Sequence, residues 1–326
     1  MATIRDVAQL AEVSVATVSR VMNNNGYVNN ETRERVLRAI KELDYHPNVL
    51  ARGLNKKRTK TLGLLLPDIT NPFFPQLARA VEDVAQEFGY SLVLCNSDDQ
   101  PEKELHYIKI LEQKYIDGVL VVSSSFSRED LHERIPVVVF DRIGAEDIPA
   151  VCVKNRSGAR LAVNHLFEIG CKRIGHLRGP FDASTADERY RGYIDAVQTQ
   201  PWFSDNYVEV ANFDMELAKT AVLRLLQRQP DIDGIFAGND LMAVGALKAL
   251  LHAGYRVPED IALIGFDGIP LTETVVPEIS TIVQPIYEMG ELATRLLLQL
   301  IEQKPVLEQI YELDVQLLQR TSTRKK

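Results

Sequence analysis

The first twenty-two residues constrain the fold of this chain most tightly, because they carry the start signals of two consecutive short helices. In TIRDVAQLAEVSVATVSRVM, Thr3 and Asp6 form the acidic variant of a capping box, so the first helix is predicted to begin at Ile4. Ser14 is placed to cap a second helix after a tight turn. The pattern is typical of a helix-turn-helix, whose second helix lies in the major groove of DNA. The alternative is a small helical hairpin that only covers a core.

The second helix is predicted to have one apolar face and one exposed face. Its inner face carries Val18 together with Val21 or Met22. The positions expected to face outward are Val15, Ala16, Thr17 and Arg20. A third amphipathic helix is predicted within residues 30–45, and its inner stripe is Val36, Leu37, Ile40 and Leu43. Pro47 follows this stripe, so the helix ends before it and closes a three-helix domain.

Charge is divided unevenly along the chain. Residues 1–60 contain 11 Lys and Arg against 6 Asp and Glu, a net charge of +5, whereas the remainder has a net charge of −13. A basic segment attracts the phosphates of DNA, and an acidic body is repelled by them. The distribution therefore favours DNA binding at the amino-terminal end of the chain.

The cysteines and the hydropathy pattern indicate in which cellular compartment the protein is expected. Cys95, Cys152 and Cys171 show no Cys-x-x-Cys spacing and lie in or beside apolar runs. They favour buried free thiols in a reducing compartment over a disulfide or a metal site. The sequence also shows no amino-terminal apolar signal and no apolar run long enough to span a membrane. We therefore expect a cytoplasmic protein with no membrane partner.

From residue 61 onward, short apolar runs alternate with amphipathic stretches. The predicted strands are residues 62–66, 92–95, 119–122, 137–140, 235–237 and 261–264. The predicted helices are residues 74–88, 102–113, 157–169, 217–229 and 241–252. Uninterrupted apolar strands are typical of parallel sheets covered by helices on both faces. The rhythm runs twice, which predicts an α/β body of two doubly wound parallel-sheet lobes with a ligand site between them.

These patterns give a domain organisation. The headpiece is predicted to be residues 1–46, and a hinge or linker follows at 47–60. The effector-binding and dimerisation domain is predicted to be 61–320, with one lobe from 61–160 and 286–320 and the other from 161–285. Residues 321–326, TSTRKK, are polar and are expected to be a frayed tail.

Four segments of the sequence resemble the lactose-repressor (LacI) family of bacterial transcription regulators. They are TIRDVAQLAEVSVATVSRV, YHPNVLARGL, GLLLPDITNPFF and GNDLMAVGALKAL. The resemblance covers residues 2–320, and within the family it is most similar to ribose operon repressors. It implies an all-α helix-turn-helix headpiece followed by two lobes like those of periplasmic sugar-binding proteins, which have no headpiece.

The resemblance also implies a set of sugar-binding residues. Those matching the first lobe of ribose-binding proteins are Asn71, Phe73, Phe74, Asp141 and Arg142. Those matching the second lobe and the return strand are Arg189, Phe213, Asn239, Asp267 and Gln284. The chemistry of these residue types agrees, since aromatic rings stack on a sugar face while carboxylates accept hydrogen bonds and arginine or amide groups donate them. Singly, each also has an ordinary role as a core, turn or surface residue.

The family resemblance places the DNA-reading positions on the second helix. Arg20 is expected to contact guanine or a phosphate, while Val15 and Ala16 offer only apolar contacts and Thr17 lies nearby. Phosphate positioning is expected of Thr3, Ser14 and Asn23.

The predicted hinge implies a dimer. Leu54, with Asn55 beside it, aligns with the leucine that family members insert into the minor groove, although it could instead contact the body. Two such leucines meet only in a homodimer, whose two-fold axis predicts a palindromic operator.

The sequence therefore predicts a repressor that releases operator DNA when free ribose, or a related pentose, binds between the lobes. A phosphorylated sugar, a corepressor mode of action and a phosphocarrier protein as co-binder are alternatives. A sugar-transport binding protein is disfavoured by the headpiece. An enzyme is disfavoured because no Gly-x-Gly-x-x-Gly, P-loop or metal-ligand spacing is found. No cofactor and no metal are expected.

Overall fold

The computed structural model describes residues 2–45, 59–122, 135–140 and 148–323, without the side chain of Asn23. The chain divides into two compact units, Met1–Thr59 and Lys60–Lys326. The first contains the headpiece, and the second contains the α/β body. Within the described ranges, no helix combines the length and apolarity that a membrane crossing requires.

The headpiece consists of three helices, α1 (Ile4–Leu10), α2 (Val15–Asn23) and α3 (Asn30–Glu42). Thr3 and Asp6 form the predicted reciprocal capping box, in which the Asp6 amide donates to Thr3 Oγ1 at 3.3 Å and the Thr3 amide donates to Asp6 Oδ2 at 2.7 Å. The Thr17 amide donates to Ser14 Oγ at 3.1 Å, so Ser14 caps α2 as predicted.

The headpiece core confirms one predicted face and corrects another. Val18 and Val21 are buried on α2, and the predicted outward positions of that helix are exposed or half-buried. On α3, however, Leu37 is 52% exposed, so its assignment to the inner stripe is wrong. Ala39 is buried instead, because it lies three residues after Val36 on the same helix face whereas Leu37 is rotated away from that face.

The body contains two six-stranded sheets. The first has the order β11-β5-β4-β3-β1-β2, and its pairs are all parallel. Its strands are β1 (Thr61–Leu66), β2 (Ser91–Asn96), β3 (Gly118–Val121), β4 (Val137–Phe140), β5 (Ala150–Val153) and β11 (Ile310–Leu313).

The second sheet has the order β12-β10-β9-β8-β6-β7, and only its pairing of β12 with β10 is antiparallel. Its strands are β6 (Ile174–Arg178), β7 (Val208–Val210), β8 (Gly234–Ala237), β9 (Ala262–Asp267), β10 (Ser280–Val283) and β12 (Gln316–Leu318). The two parallel sheets confirm the predicted fold class.

Seven described helices pack on the sheets of the body. They are α4 (Phe73–Glu87), α5 (Pro101–Gln113), α6 (Asn155–Glu168), α7 (Ser184–Val197), α8 (Met215–Arg228), α9 (Asp240–His252) and α10 (Ile286–Ile301). α4 packs against α10, α6 against α7, and α8 against α9. Gly89, Gly170 and Gly254 adopt positive φ values at helix ends, as their positions in the sequence predicted. All three cysteines are buried and none forms a disulfide, also as predicted.

The structure corrects three expectations about the body. β2 is an edge strand with only Cys95 buried, so it is not covered on both faces. The lobe boundaries also differ, because α6 packs on the second sheet and β12 pairs within it. By sheet membership, the second lobe is 155–284 with 316–323, instead of 161–285.

The third correction concerns the end of the chain. Thr321–Thr323 form a helical turn, and the side chains of Ser322 and Thr323 are buried. Ser322 donates to the Leu263 carbonyl at 2.6 Å, and Thr323 Oγ1 is hydrogen-bonded to His165 Nε2 at 3.0 Å. The expectation of a frayed tail is therefore wrong for these three residues, because buried partners satisfy their polar groups.

Candidate functional site

The body contains a cleft of about 350 Å³ between the carboxyl ends of its two sheets. A volume near the lower end of the range for ligand pockets suits a small molecule. Seven of the predicted sugar-binding residues line this cleft, namely Asn71, Phe73, Phe74, Arg189, Phe213, Asn239 and Asp267. Asp141 and Arg142 lie outside the described residues.

The first-lobe wall is built where β1 gives way to α4. Asn71 Oδ1 accepts a hydrogen bond from the Phe73 amide at 3.1 Å, which fixes the start of the helix. Phe73 and Phe74 are both buried and meet edge to face, with ring centroids 5.2 Å apart. The aromatic pair gives this wall an apolar surface of defined shape.

Arg189 organises the second-lobe floor of the cleft. It projects from α7 and is 3% exposed. Its Nη1 donates to Asp267 Oδ1 at 3.1 Å and to the Gly238 carbonyl at 2.7 Å, while its Nε donates to Asn155 Oδ1 at 2.8 Å. Its guanidinium carbon also lies 3.9 Å from the centroid of the Phe266 ring. These contacts hold the buried guanidinium group in one orientation. They also offset the cost of burying its charge, which would be high without partners.

Asp267 ends β9 in a strained backbone conformation with φ of +124°. Its Oδ1 also accepts from Gln284 Nε2 at 2.7 Å. Gln284 does not line the cleft; it lies behind Asp267 and supports the carboxylate. Its Oε1 is buried and has no hydrogen-bond partner among the described residues. A non-glycine residue with this φ is held by its surroundings and is often found at a functional site.

Asp240, the first residue of α9, supports the same turn from beneath. It is fully buried, and its Oδ2 accepts from the amides of Gly268 and Ile269 at 2.7 and 2.9 Å. Its Oδ1 accepts from Thr281 Oγ1 at 2.6 Å. Burial, together with the nearby Asp267 carboxyl, raises the pKa of Asp240 well above its ordinary value.

Two further predicted residues complete the second-lobe side. Phe213 lies over Gly179, where a Cβ atom would approach its ring to 2.5 Å. Asn239 is buried and caps α9, with its Oδ1 accepting from the Met242 amide at 2.9 Å. Its amide nitrogen is therefore the group that can donate to a ligand.

Sequence reasoning missed several lining residues. They include Asp68, Asp99, Thr185, Asp214, Met215 and Leu241. Asp68 follows β1 and Asp99 follows β2, so the rule that ligand sites lie at the carboxyl ends of parallel strands could have found them. The described lining of the cleft therefore carries four carboxylates and one arginine.

The predicted DNA-reading positions lie on the exposed side of the headpiece. Val15, Ala16 and Arg20 are exposed on α2, and Val15 is 41% exposed despite its apolar side chain. Thr3 and Ser14 are exposed caps, and Thr17 is half-buried with its Oγ1 2.9 Å from Ser14 Oγ. Leu54, Asn55 and the side chain of Asn23 lie outside the described residues.

A three-helix headpiece with an exposed second helix, followed by a two-lobed body around a polar and aromatic cleft, defines a helix-turn-helix regulator with a ligand-binding domain. Two family profiles match these parts. Residues 3–48 match "Bacterial regulatory proteins, lacI family", and residues 163–323 match "Periplasmic binding protein-like domain". The chain belongs to the LacI family of bacterial regulatory proteins and is a transcriptional repressor of the LacI type.

Full-length relatives agree with this assignment. A "Ribose operon repressor" of Halalkalibacterium halodurans is 49% identical over 325 residues, which is 99% of this chain and 98% of the relative. A "Ribose operon repressor" of Bacillus subtilis is 41% identical and covers 100% of this chain and 99% of its own length. Among solved structures, the lac repressor dimer bound to operator and the anti-inducer ONPF is 26% identical, covers 99% of both chains and has a TM-score of 0.88.

Proposed function

We propose that this protein represses a ribose-utilisation operon as a homodimer, and that free ribose or a related pentose in the cleft releases it from a palindromic operator. The observation that carries the proposal is the grouping of Arg189, Asp267 and Asn239 on one side of the cleft, opposite the Phe73–Phe74 pair. Hydroxyl groups around a sugar ring need such donors and acceptors, and its apolar face needs an aromatic surface. The names of the two ribose operon repressors support the same ligand.

The charge of the described part of the cleft lining favours a free sugar over a phosphorylated one. Asp68, Asp99, Asp214 and Asp267 line it together with Arg189. A phosphate would bring further negative charge to this surface, where like charges repel. No cofactor enters the proposal. A phosphocarrier protein remains a candidate co-binder, and no described contact supports it.

The proposal is tested by operator binding with and without ribose. The DNA probe is a duplex selected by the protein from a random-sequence pool, and affinity is measured by fluorescence anisotropy. Millimolar ribose is expected to weaken binding, whereas ribose 5-phosphate and xylose are expected to act less strongly. If ribose 5-phosphate alone weakens binding, the effector is a phosphorylated sugar; if ribose strengthens binding, the ligand is a corepressor.

A variant pair connects the response to the cleft. Asp267→Ala removes the acceptor of two hydrogen bonds and is expected to lower ribose affinity by about 100-fold while operator binding persists. Asp260→Ala is the matched control, because Asp260 also pairs with an arginine, Arg256, but does not line the cleft. Equal ribose affinity in Asp267→Ala and the unmodified chain would contradict the proposed site.

A further inference from the structure

A single buried carboxylate holds the turn that presents Asp267. The amides of Gly268 and Ile269 converge on Asp240 Oδ2 at 2.7 and 2.9 Å. Successive backbone amides pointing at one oxygen form an anion-binding concavity. Here the acceptor belongs to the chain itself, since the Asp240 carboxyl group enters the concavity from the start of α9.

The turn needs such support because its backbone is unfavourable. Asp267 has φ of +124° and Gly268 has φ of +82°, so two consecutive residues occupy the region of positive φ. Gly268 cannot be exchanged for a larger residue, since a Cβ atom there would lie 2.9 Å from Val283 Cγ1. Non-glycine residues keep such a conformation only when neighbouring groups enforce it. The hydrogen bonds from the Gly268 and Ile269 amides to Asp240 are placed to enforce this conformation.

Asp240 is itself fixed from a second strand. Thr281 Oγ1, on β10, donates to Asp240 Oδ1 at 2.6 Å. The main chain of β9 leaves room for the carboxylate only because residue 265 is glycine, where a Cβ atom would approach Asp240 Oδ1 to 2.2 Å. Asp240 therefore links α9, the end of β9 and β10 beneath the cleft floor.

We propose that Asp240 is a positioning residue for ligand binding: without touching the ligand, it fixes the 267–269 turn so that the Asp267 carboxylate meets both Arg189 and the sugar. Asp240 does not line the cleft, although its chain neighbours Asn239 and Leu241 do. The inference rests on the proposed binding of a sugar in this cleft. The competing explanation is that Asp240 stabilises only the start of its helix, where a negative charge is favourable in any protein.

The test compares ribose affinities, measured by calorimetry well below the melting temperature, for the full-length chain and its variants. Asp240→Ala removes all three acceptor contacts and is expected to lower ribose affinity at least about tenfold, which corresponds to about 1.4 kcal/mol. Asp240→Asn keeps an oxygen for the two amides and offers an N–H group to Thr281 Oγ1, so its affinity is expected to stay within about threefold of the unmodified chain.

A matched control is provided by Asp233. Its carboxylate also accepts from two consecutive amides, those of Lys172 and Arg173, but at the opposite end of the second sheet from the cleft. Asp233→Ala is expected to lower the melting temperature without changing ribose affinity. Should Asp240→Ala fail to fold, Thr281→Val removes one donor at nearly constant volume and is expected to lower ribose affinity about threefold.

The outcomes separate this inference from the proposed function. If the unmodified chain fails to bind ribose, the proposed effector is wrong and this inference fails with it. If the unmodified chain binds ribose and Asp240→Ala binds it equally well, the positioning role alone is wrong. An Asp240→Asn variant as weak as Asp240→Ala would show that charge and not acceptor geometry matters. An equal loss in Asp233→Ala would assign the effect to general destabilisation.

Discussion

His176 is expected to make the second lobe sensitive to acid. Its ring lies on β6, fully buried, with the Phe236 and Tyr193 rings stacked 4.9 and 5.0 Å away. Its Nδ1 lies 2.9 Å from the Phe236 carbonyl, and its Nε2 has no hydrogen-bond partner among the described residues. Because burial disfavours the charged ring, the pKa of His176 falls from 6.5 to about 3.

The size of the effect follows from the difference between the two pKa values. Below pH 6.5 the unfolded chain binds a proton at His176, whereas the folded chain does not bind one until about pH 3. Stability from this residue is therefore fully present above pH 6.5 and is lost as the pH falls toward 3. Between pH 7 and pH 5, the free energy of unfolding should fall by about 2 kcal/mol on account of this one residue.

The assay is urea denaturation at pH 7 and pH 5, followed by fluorescence of Trp202. This is the only tryptophan in the sequence, and it lies 4.7 Å from Tyr207 in the second lobe. His176→Phe keeps an aromatic ring in the stack but cannot titrate. The variant should lose about 2 kcal/mol less stability between pH 7 and pH 5 than the unmodified chain. The pKa of the buried His165 is also lowered by burial, but that residue contributes equally to both proteins. Equal losses in the two proteins would refute the reasoning.

Two further predictions test the cleft wall and the headpiece separately. Gly179→Ala should displace the Phe213 ring, since its Cβ atom would lie 2.5 Å from that ring, and should lower ribose affinity about tenfold by calorimetry. The control is Gly170→Ala, where the added atom meets no neighbour but the backbone φ of +97° disfavours alanine; it should lower the melting temperature and leave ribose affinity unchanged. Equal affinities in all three proteins would contradict the argument. Ser14→Ala removes the cap of α2 and should speed hydrogen exchange in that helix about fivefold, which corresponds to about 1 kcal/mol. Ser14→Asp should retain the protection, because aspartate can also cap a helix. An unchanged exchange rate in Ser14→Ala would show that the cap contributes nothing.

Local signals in the sequence predicted much of the fold. The capping box of Thr3 and Asp6 and the apolar spacing of α2 determine their own structure within a few residues, so they could be recognised directly. Leu37 could not be placed in the same way, since its exposure depends on which of two adjacent apolar residues the other helices cover. The exposed residues of β2 present the same difficulty, because an edge position is a property of the whole sheet.

Only part of the cleft lining was predictable from the sequence, and the residues that support it from behind were not. Asn71 and Asp267 follow or end strands, whereas Arg189, in the middle of α7, was named only through the family resemblance. The structure brings all three to one cleft. The roles of Asp240 and Gln284 behind that surface depend on contacts between residues 17 to 41 positions apart. Burial of the polar Ser322 and Thr323 depends on similar distant partners, so a polar composition alone misassigned them as a tail.

The two sides of the cleft differ in how they can act on any ligand between them. On the second-lobe side, the polar groups of Arg189, Asp267 and Asn239 are already bonded within their own lobe, so a ligand meets a preformed surface. On the first-lobe side, the Phe73–Phe74 pair belongs to the other sheet, and its distance from a ligand depends on the separation of the lobes. A ligand shifts a conformational equilibrium only by its difference in affinity for the two states. We therefore expect the second-lobe residues to determine mainly which ligand is held, and contacts to the first-lobe wall to determine how far its binding can favour a closed arrangement.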